Sequence, residues 1–215
     1  MKVASVLSGK AIWLFETQEM NPRGLDLQSI VISIKNRYNF STPTTREEID
    51  DQKEGIKFLK GSFKSRESEN IAVNLSVFRD GLVAETFVDS TLAEALLEDV
   101  VAFIRDKHGL RFETSMIRQR QYASQLVVES KSGLLRISQA ISEISAELAK
   151  ITGRSFEAIA LTIGYDLTVP AEGVGPFILE RRAGVPFSED RYFSSASLTT
   201  EAHVRLLNRL EALMA

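Results

Sequence analysis

The sequence contains no cysteine and only two histidines, His108 and His203. The lack of cysteine excludes disulfide bonds, thiolate nucleophiles and zinc sites of the cysteine type. A metal site built on the two histidines would require both to meet a carboxylate in space, and nothing in their spacing predicts that. We therefore predict no catalytic residue, no metal site and no cofactor, and we favour a non-enzymatic role.

An excess of positive charge is also lacking. The 215 residues include 26 Lys and Arg against 29 Asp and Glu, which gives a formal net charge of −3. Proteins that hold a phosphate backbone do so with a positive field, so nucleic acid is disfavoured as a partner. The most basic stretch, residues 105–120, matches no known nucleic-acid motif.

Long apolar runs are missing as well. None of the apolar runs in the sequence approaches the roughly 20 residues needed to cross a bilayer, and Ser8, Gly9 and Lys10 interrupt the apolar residues of the N-terminal stretch. We predict a protein without a membrane segment and with a cytoplasmic location. Apolar residues make up 44% and charged residues 26% of the chain, which is typical of a globular protein with a substantial core.

The order of local patterns predicts the fold class. Consecutive strand-like segments joined by short turns, with helical segments between them, indicate an α+β fold. We expect a largely antiparallel sheet with about three long helices packed on it. We predict a single domain over residues 1–215, and its organisation as two related halves, 1–110 and 111–215, stays open.

Several segments carry specific predictions. Asp80 and Gly81 separate two alternating runs, residues 71–78 and 82–88, and predict a hairpin. Residues 25–35 are predicted to form a strand, 91–107 a helix that ends at Gly109, and 200–214 a final helix. The acidic stretch 47–54 lacks the pattern of a calcium loop and favours a short solvated helix.

The chain is organised around residues 132–169, a predicted helix followed at once by a predicted strand. Apolar residues spaced three and four apart form one stripe along the helix, which we expect to be buried. The stripe consists of Leu134, Ile137, Ile141, Ile144, Leu148 and Ile151. In the strand, small residues from Ala158 to Gly164 alternate with bulky ones from Ile159 to Leu167, and we expect a helix to lie against the small face.

Together the stripe and the bulky strand face carry more large apolar residues than one sheet face needs. This surplus, with the scarcity of catalytic residue types, predicts a protein-interaction or assembly protein that forms a symmetric homodimer or binds another protein.

An alternative hypothesis concerns the C-terminal region. Arg181, Arg182 and Arg191 surround a turn at which several guanidinium groups could converge on a carboxylate or phosphate. Asp166 continues the small face of the preceding strand and is the carboxylate that we expect at the edge of such a site. This pattern favours a small-anion or nucleotide-related binding protein or enzyme.

Overall fold

Eight β-strands and four α-helices form the part of the chain that the computed structural model describes, residues 1–24, 26–41, 55–64, 70–166 and 174–214. The strands are β1 (Lys2–Leu14), β2 (Ile56–Lys64), β3 (Asn70–Phe78), β4 (Gly81–Thr86), β5 (Gln119–Glu129), β6 (Ala160–Ile163), β7 (Phe177–Arg181) and β8 (Arg191–Ala196). The helices are α1 (Leu27–Tyr38), α2 (Ser90–His108), α3 (Gln139–Thr152) and α4 (Thr200–Met214). The predicted acidic helix at 47–54 and the end of the predicted long strand, 167–169, lie outside the described residues.

The strands form one sheet in the order β2-β3-β4-β1-β5-β8-β7-β6. The pairs with a recorded register, β1 with β4, β2 with β3, β3 with β4, β5 with β8, β6 with β7 and β7 with β8, are all antiparallel. The predicted α+β fold with an antiparallel sheet is therefore confirmed, with four helices in place of about three.

The element order repeats. A strand, a helix, three strands and a helix follow one another twice, first from β1 to α2 and then from β5 to α4. By position in the chain, β1 to β4 of the first half correspond to β5 to β8 of the second. The sheet order is β2-β3-β4-β1 followed by β5-β8-β7-β6, so the second half has the order of the first in reverse. A common origin of the two halves stays a prediction.

Contacts divide the chain into two compact units, one of Ser8–Ala123 and one of Met1–Leu7 with Ser124–Ala215. The core of the first unit contains the buried faces of α1 and α2 and of strands β1 to β4. Trp13 is 2% exposed in this core, and its ring stacks on Phe112 with 5.9 Å between ring centroids. The core of the second unit is smaller and includes Leu126, Leu179 and Leu207.

Helix α1 corrects the predicted strand at 25–35. The even spacing of Ile30, Ile32 and Ile34 favoured a strand, but the chain buries residues three and four apart, Ile30, Val31, Ile34 and Tyr38, and leaves Ile32 48% exposed. The Asp26 carboxylate accepts the backbone N–H groups of Gln28 and Ser29, so it satisfies two amide groups of the first helical turn.

The hairpin and the two remaining predicted helices agree with the structure. Phe78 pairs with Gly81 across the turn between β3 and β4. Helix α2 ends at Gly109 in the left-handed conformation, as predicted, but its cap is Asp89, whose carboxylate accepts the backbone N–H of Thr91. Helix α4 covers the predicted residues, and Leu207 on its inner side is fully buried.

Candidate interaction surface

Helix α3 exposes the apolar stripe that the sequence predicted to be buried. Ile144 is 61% exposed and Ile151 73% exposed, and no residue of α3 is buried. The expectation that the chain covers this stripe with its own core is therefore wrong for all of its members except Leu134. Most apolar helix stripes in single chains are covered, so an uncovered one is a candidate interaction surface.

The start of α3 explains why Leu134 is separated from the rest of the stripe. The helix was predicted to begin after Ser132, but it begins at Gln139. Residues 133–136 form a turn in which the backbone N–H of Arg136 donates to the Gly133 carbonyl. Leu134 and Leu135 are buried, and the Leu134 backbone N–H donates to the Tyr192 hydroxyl at 3.0 Å. These two leucines anchor the chain immediately before the exposed helix.

The segment after α3 continues the exposed apolar surface. Gly153 ends the helix in the left-handed conformation. Among the described strands, β6 is the last in the sheet and pairs only with β7. Ile159 is 65% and Ile163 57% exposed, and Phe156 and Tyr165 are also exposed. The small face is equally uncovered, since Ala160, Thr162 and Gly164 are exposed, so the predicted helix over that face is wrong.

A groove of about 250 Å³ lies between α3 and residues 155–158. The small side chains of Ser142, Ser145 and Ala149 line it on the helix side. Ile141 and Phe156 both border the groove, so the helical and strand parts of the exposed surface adjoin there. The most exposed isoleucines of the helix, Ile144 and Ile151, are not among the lining residues.

We call the exposed residues of this region the α3–β6 surface. Of the seventeen large apolar side chains that are exposed among the described residues, nine lie between 137 and 165. They are Ile137, Ile141, Ile144, Leu148, Ile151, Phe156, Ile159, Ile163 and Tyr165. Scattered apolar residues are normal on protein surfaces, but a concentration of this kind is typical of an interaction site.

Arg181, the first residue of the predicted anion site, is engaged by the protein's own carboxylates. Its side chain is 7% exposed and forms salt bridges with Glu157 and Asp190, the latter at 3.4 Å. Its guanidinium also donates to the Phe187 carbonyl and lies over the Tyr192 ring. These contacts tie β7 to neighbouring segments and give Arg181 a structural role.

Arg182 and Arg191 lie close to Arg181 on the paired strands β7 and β8, but the described contacts give them other partners. Arg191 pairs with Glu129, with 2.6 Å between Arg191 Nη2 and Glu129 Oε1. Arg182 and Asp166 are both exposed. The backbone N–H of Arg182 donates to the Arg191 carbonyl. The described contacts bring no two of the three guanidinium groups onto one carboxylate, and the anion hypothesis stays a prediction.

His203 lies fully buried between two serine hydroxyl groups. Its Nδ1 is 2.8 Å from Ser124 Oγ and its Nε2 is 2.8 Å from Ser194 Oγ. The Ser194 hydroxyl donates to the Ile178 carbonyl, so it accepts from Nε2–H, and Nδ1 accepts from Ser124. Burial lowers the pKa of His203 to about 4. A neutral imidazole with both nitrogens bound, out of reach of solvent, stabilises the fold and has no access to a substrate.

Metal ligands do not cluster in the described part of the chain, where no group of three or more His, Asp or Glu could hold an ion.

No helix among the described residues is long and apolar enough to cross a membrane. In the basic stretch 105–120, Arg105, Arg111, Arg118 and Arg120 each form a salt bridge with a carboxylate.

Comparison of the chain with models of protein families and with curated proteins finds no match. The α3–β6 surface is therefore interpreted from its own geometry. Sequence reasoning identified most of its residues but missed Phe156 and the exposure of the whole set. The spacing of 137, 141, 144, 148 and 151 repeats every seven residues, and this heptad pattern was the available signal for packing against another helix.

Proposed function

We propose that the protein is a non-enzymatic interaction or assembly protein that forms a homodimer through the α3–β6 surface. The observation that carries the proposal is the exposure of nine large apolar side chains within 29 residues, each between 38% and 73% exposed. A cytoplasmic location, predicted from the composition, accompanies this proposal.

The size of the surface fits a dimer. Fully burying a large apolar side chain removes on the order of 100 Å² from water, so nine half-exposed side chains offer on the order of 500 Å² of apolar area. A standard interface buries about 800 Å² per partner, and roughly 60% of that area is apolar. The α3–β6 surface therefore supplies about the apolar area that one side of a stable interface requires.

The charges beside the stripe favour a second copy as the occupant. Along residues 143–154 the charge changes sign: Glu143 and Glu147 form an acidic half, and Lys150 with Arg154, which follows the helix, forms a basic half. An antiparallel pair of α3 helices brings the acidic half of each copy opposite the basic half of the other, whereas a parallel pair would place like charges together. Antiparallel packing is compatible with a two-fold axis perpendicular to the helices, which places the same patch of both subunits in the interface.

Strand β6 supports the same symmetry. As the terminal strand of the sheet, it offers the backbone groups of its outer side for pairing. An edge strand with apolar side chains on its surface is a template for a further strand. Two copies of β6 related by a two-fold axis would pair antiparallel, the arrangement of every recorded pair in this sheet.

Light scattering on the full chain tests the proposal. The 24.0 kDa chain is expected to show twice its mass at high micromolar concentration. The variant Ile144→Glu should be monomeric, because it places a charge in the middle of the buried surface. The matched control is Ile32→Glu, which changes a half-exposed isoleucine of α1 and should remain dimeric. A monomeric wild-type chain, or dissociation by both variants alike, would contradict the proposal.

A further inference from the structure

A second feature, independent of the α3–β6 surface, is a cavity of about 420 Å³ in the unit Ser8–Ala123. It lies between α1, α2 and the strands β2 to β4. Its walls are mostly apolar, and they include Ile30, Val31 and Ile34 of α1, Phe58 of β2 and Ile104 of α2. The cavity opens to solvent, and its volume is within the range that is usual for small-molecule sites.

The polar residues of the cavity are few. Thr17, Gln18, Asn21 and Arg79 line it together with the apolar residues. Arg79 is exposed, and it is the one residue with a charged side chain among the described residues that line the cavity. Ligand sites commonly combine apolar walls with a few polar groups that fix the orientation of the ligand. A positive charge beside an apolar chamber is complementary to an anionic group attached to an apolar chain.

We infer that this cavity binds a single-chain amphiphile with a carboxylate head, of the class of medium-chain fatty acids. At about 30 Å³ for each water-sized group, the volume accommodates roughly a dozen methylene groups. One chain of that length fills the cavity, and a lipid with two longer chains exceeds it. The chain lies among the isoleucines of α1 and α2, and the carboxylate meets Arg79.

Isothermal titration of the full chain with dodecanoate and with dodecanol tests this inference. Wild-type protein should bind both ligands, and dodecanoate more tightly. Arg79→Gln should weaken dodecanoate binding about tenfold and leave dodecanol binding within twofold, because only the carboxylate loses its partner. Absence of dodecanoate binding at 100-fold molar excess would overturn the inference.

Two further variants locate the site. Leu27→Trp should weaken both ligands at least tenfold, because the larger side chain fills the entrance; Leu27 lines the cavity and is 39% exposed, so the helix tolerates the change. Val31→Phe fills the cavity more deeply and provides a second, independent block. Ile144→Glu, in the α3–β6 surface, should leave binding unchanged. Unchanged binding in both cavity variants, or its loss in Ile144→Glu, would show that the amphiphile binds elsewhere.

Discussion

At the scale of single residues, buried polar groups hold the second unit together. His203 and Arg181 both lie in this unit, and each has a hydrogen-bond partner that is distant in the sequence. His203 is 79 residues from Ser124, and Arg181 is 24 residues from Glu157. Sequence patterns predict local structure, and nothing in the local sequence distinguishes these partnered residues from exposed ones. The sequence therefore does not distinguish a ligand site at Arg181, Arg182 and Arg191 from arginines paired within the protein, and the anion site stays a prediction.

The buried imidazole predicts a pH dependence of stability. The pKa of His203 is lowered from 6.5 in the unfolded chain to about 4 in the folded protein, so the unfolded state takes up a proton first as the pH falls. The contribution of His203 is fully present above pH 6.5 and is lost as the pH falls from about 6.5 to 4. It amounts to about 3 kcal/mol.

Urea denaturation at pH 7, 6, 5 and 4 measures this dependence. The loss of stability between pH 6.5 and 4 should be smaller in His203→Gln than in the wild type. Parallel curves for His203→Gln and the wild type would contradict the assignment.

The adjacent residues Arg181 and Arg182 allow the loss of a buried arginine to be compared with the loss of an exposed one. Arg181→Ala leaves Glu157 and Asp190 without their shared cation in a largely buried setting, and it should lower the free energy of unfolding by about 3 kcal/mol. Arg182→Ala changes an exposed side chain and should stay within about 0.5 kcal/mol of the wild type. Chemical denaturation at pH 7 compares the two variants, and equal effects would rule out the structural role of Arg181.

At the scale of elements, the two helices that follow the first strand of each half differ in their packing. Helix α1 buries Ile30, Val31, Ile34 and Tyr38 in its own unit, whereas α3 buries no residue. Both helices carry amphipathic patterns, so the sequence predicts an apolar face in each case. It does not specify whether that face meets the protein's own sheet or another molecule. The existence and C-terminal end of α3 were therefore predictable, and its exposure was not.

The boundary errors have similar physical causes. Isoleucines at 30, 32 and 34 fit the two-residue period of a strand. Ile30, Val31 and Ile34 also fit the three-to-four-residue period of a helix. The Asp26 cap settles the competition in favour of a helix. The predicted strand after α3 was far longer than β6 because alternation continues through residues 156–159, which the structure leaves outside the strand.

The antiparallel arrangement of α3 helices predicts a specific response to charge. The double variant Lys150→Glu with Arg154→Glu makes the whole helix acidic and replaces attraction between copies by repulsion. Exposed ion pairs contribute about 0.3 kcal/mol each and like-charge pairs cost a similar amount, so replacing four attractive pairs by four repulsive ones costs about 2 kcal/mol, or roughly a thirtyfold weaker Kd.

Salt separates this effect from general destabilisation. Sedimentation equilibrium at low and high salt should show that salt weakens the wild-type dimer and strengthens the dimer of the acidic variant, because screening reduces attraction in one and repulsion in the other. Strengthening of the wild-type dimer by salt would indicate parallel helices instead.

At the scale of the whole molecule, composition and element order were sufficient to predict an antiparallel α+β fold. The two compact units and the mirrored order of the strands in the sheet depend on which strands pair. Pairing between segments that are distant in the sequence leaves no local signal in it. The cavity in the first unit is a further property of the assembled fold. Its lining residues come from five separate segments of the chain, each of which has an ordinary apolar pattern.

The lack of cysteine allows a direct measurement of the proposed dimer. A spin label attached at Gln139→Cys or at Ala146→Cys reports only the distance to the same site in a second copy. The two positions are exposed, seven residues apart and on the same side of α3, so they differ mainly in their position along the helix axis.

Antiparallel packing through the α3–β6 surface predicts that the label-to-label distance at position 139 exceeds that at position 146 by roughly 10–15 Å, given about 1.5 Å of rise per residue. Equal distances at the two positions would contradict the antiparallel arrangement, and the absence of dipolar coupling at high micromolar concentration would contradict the claim that a second copy covers this surface.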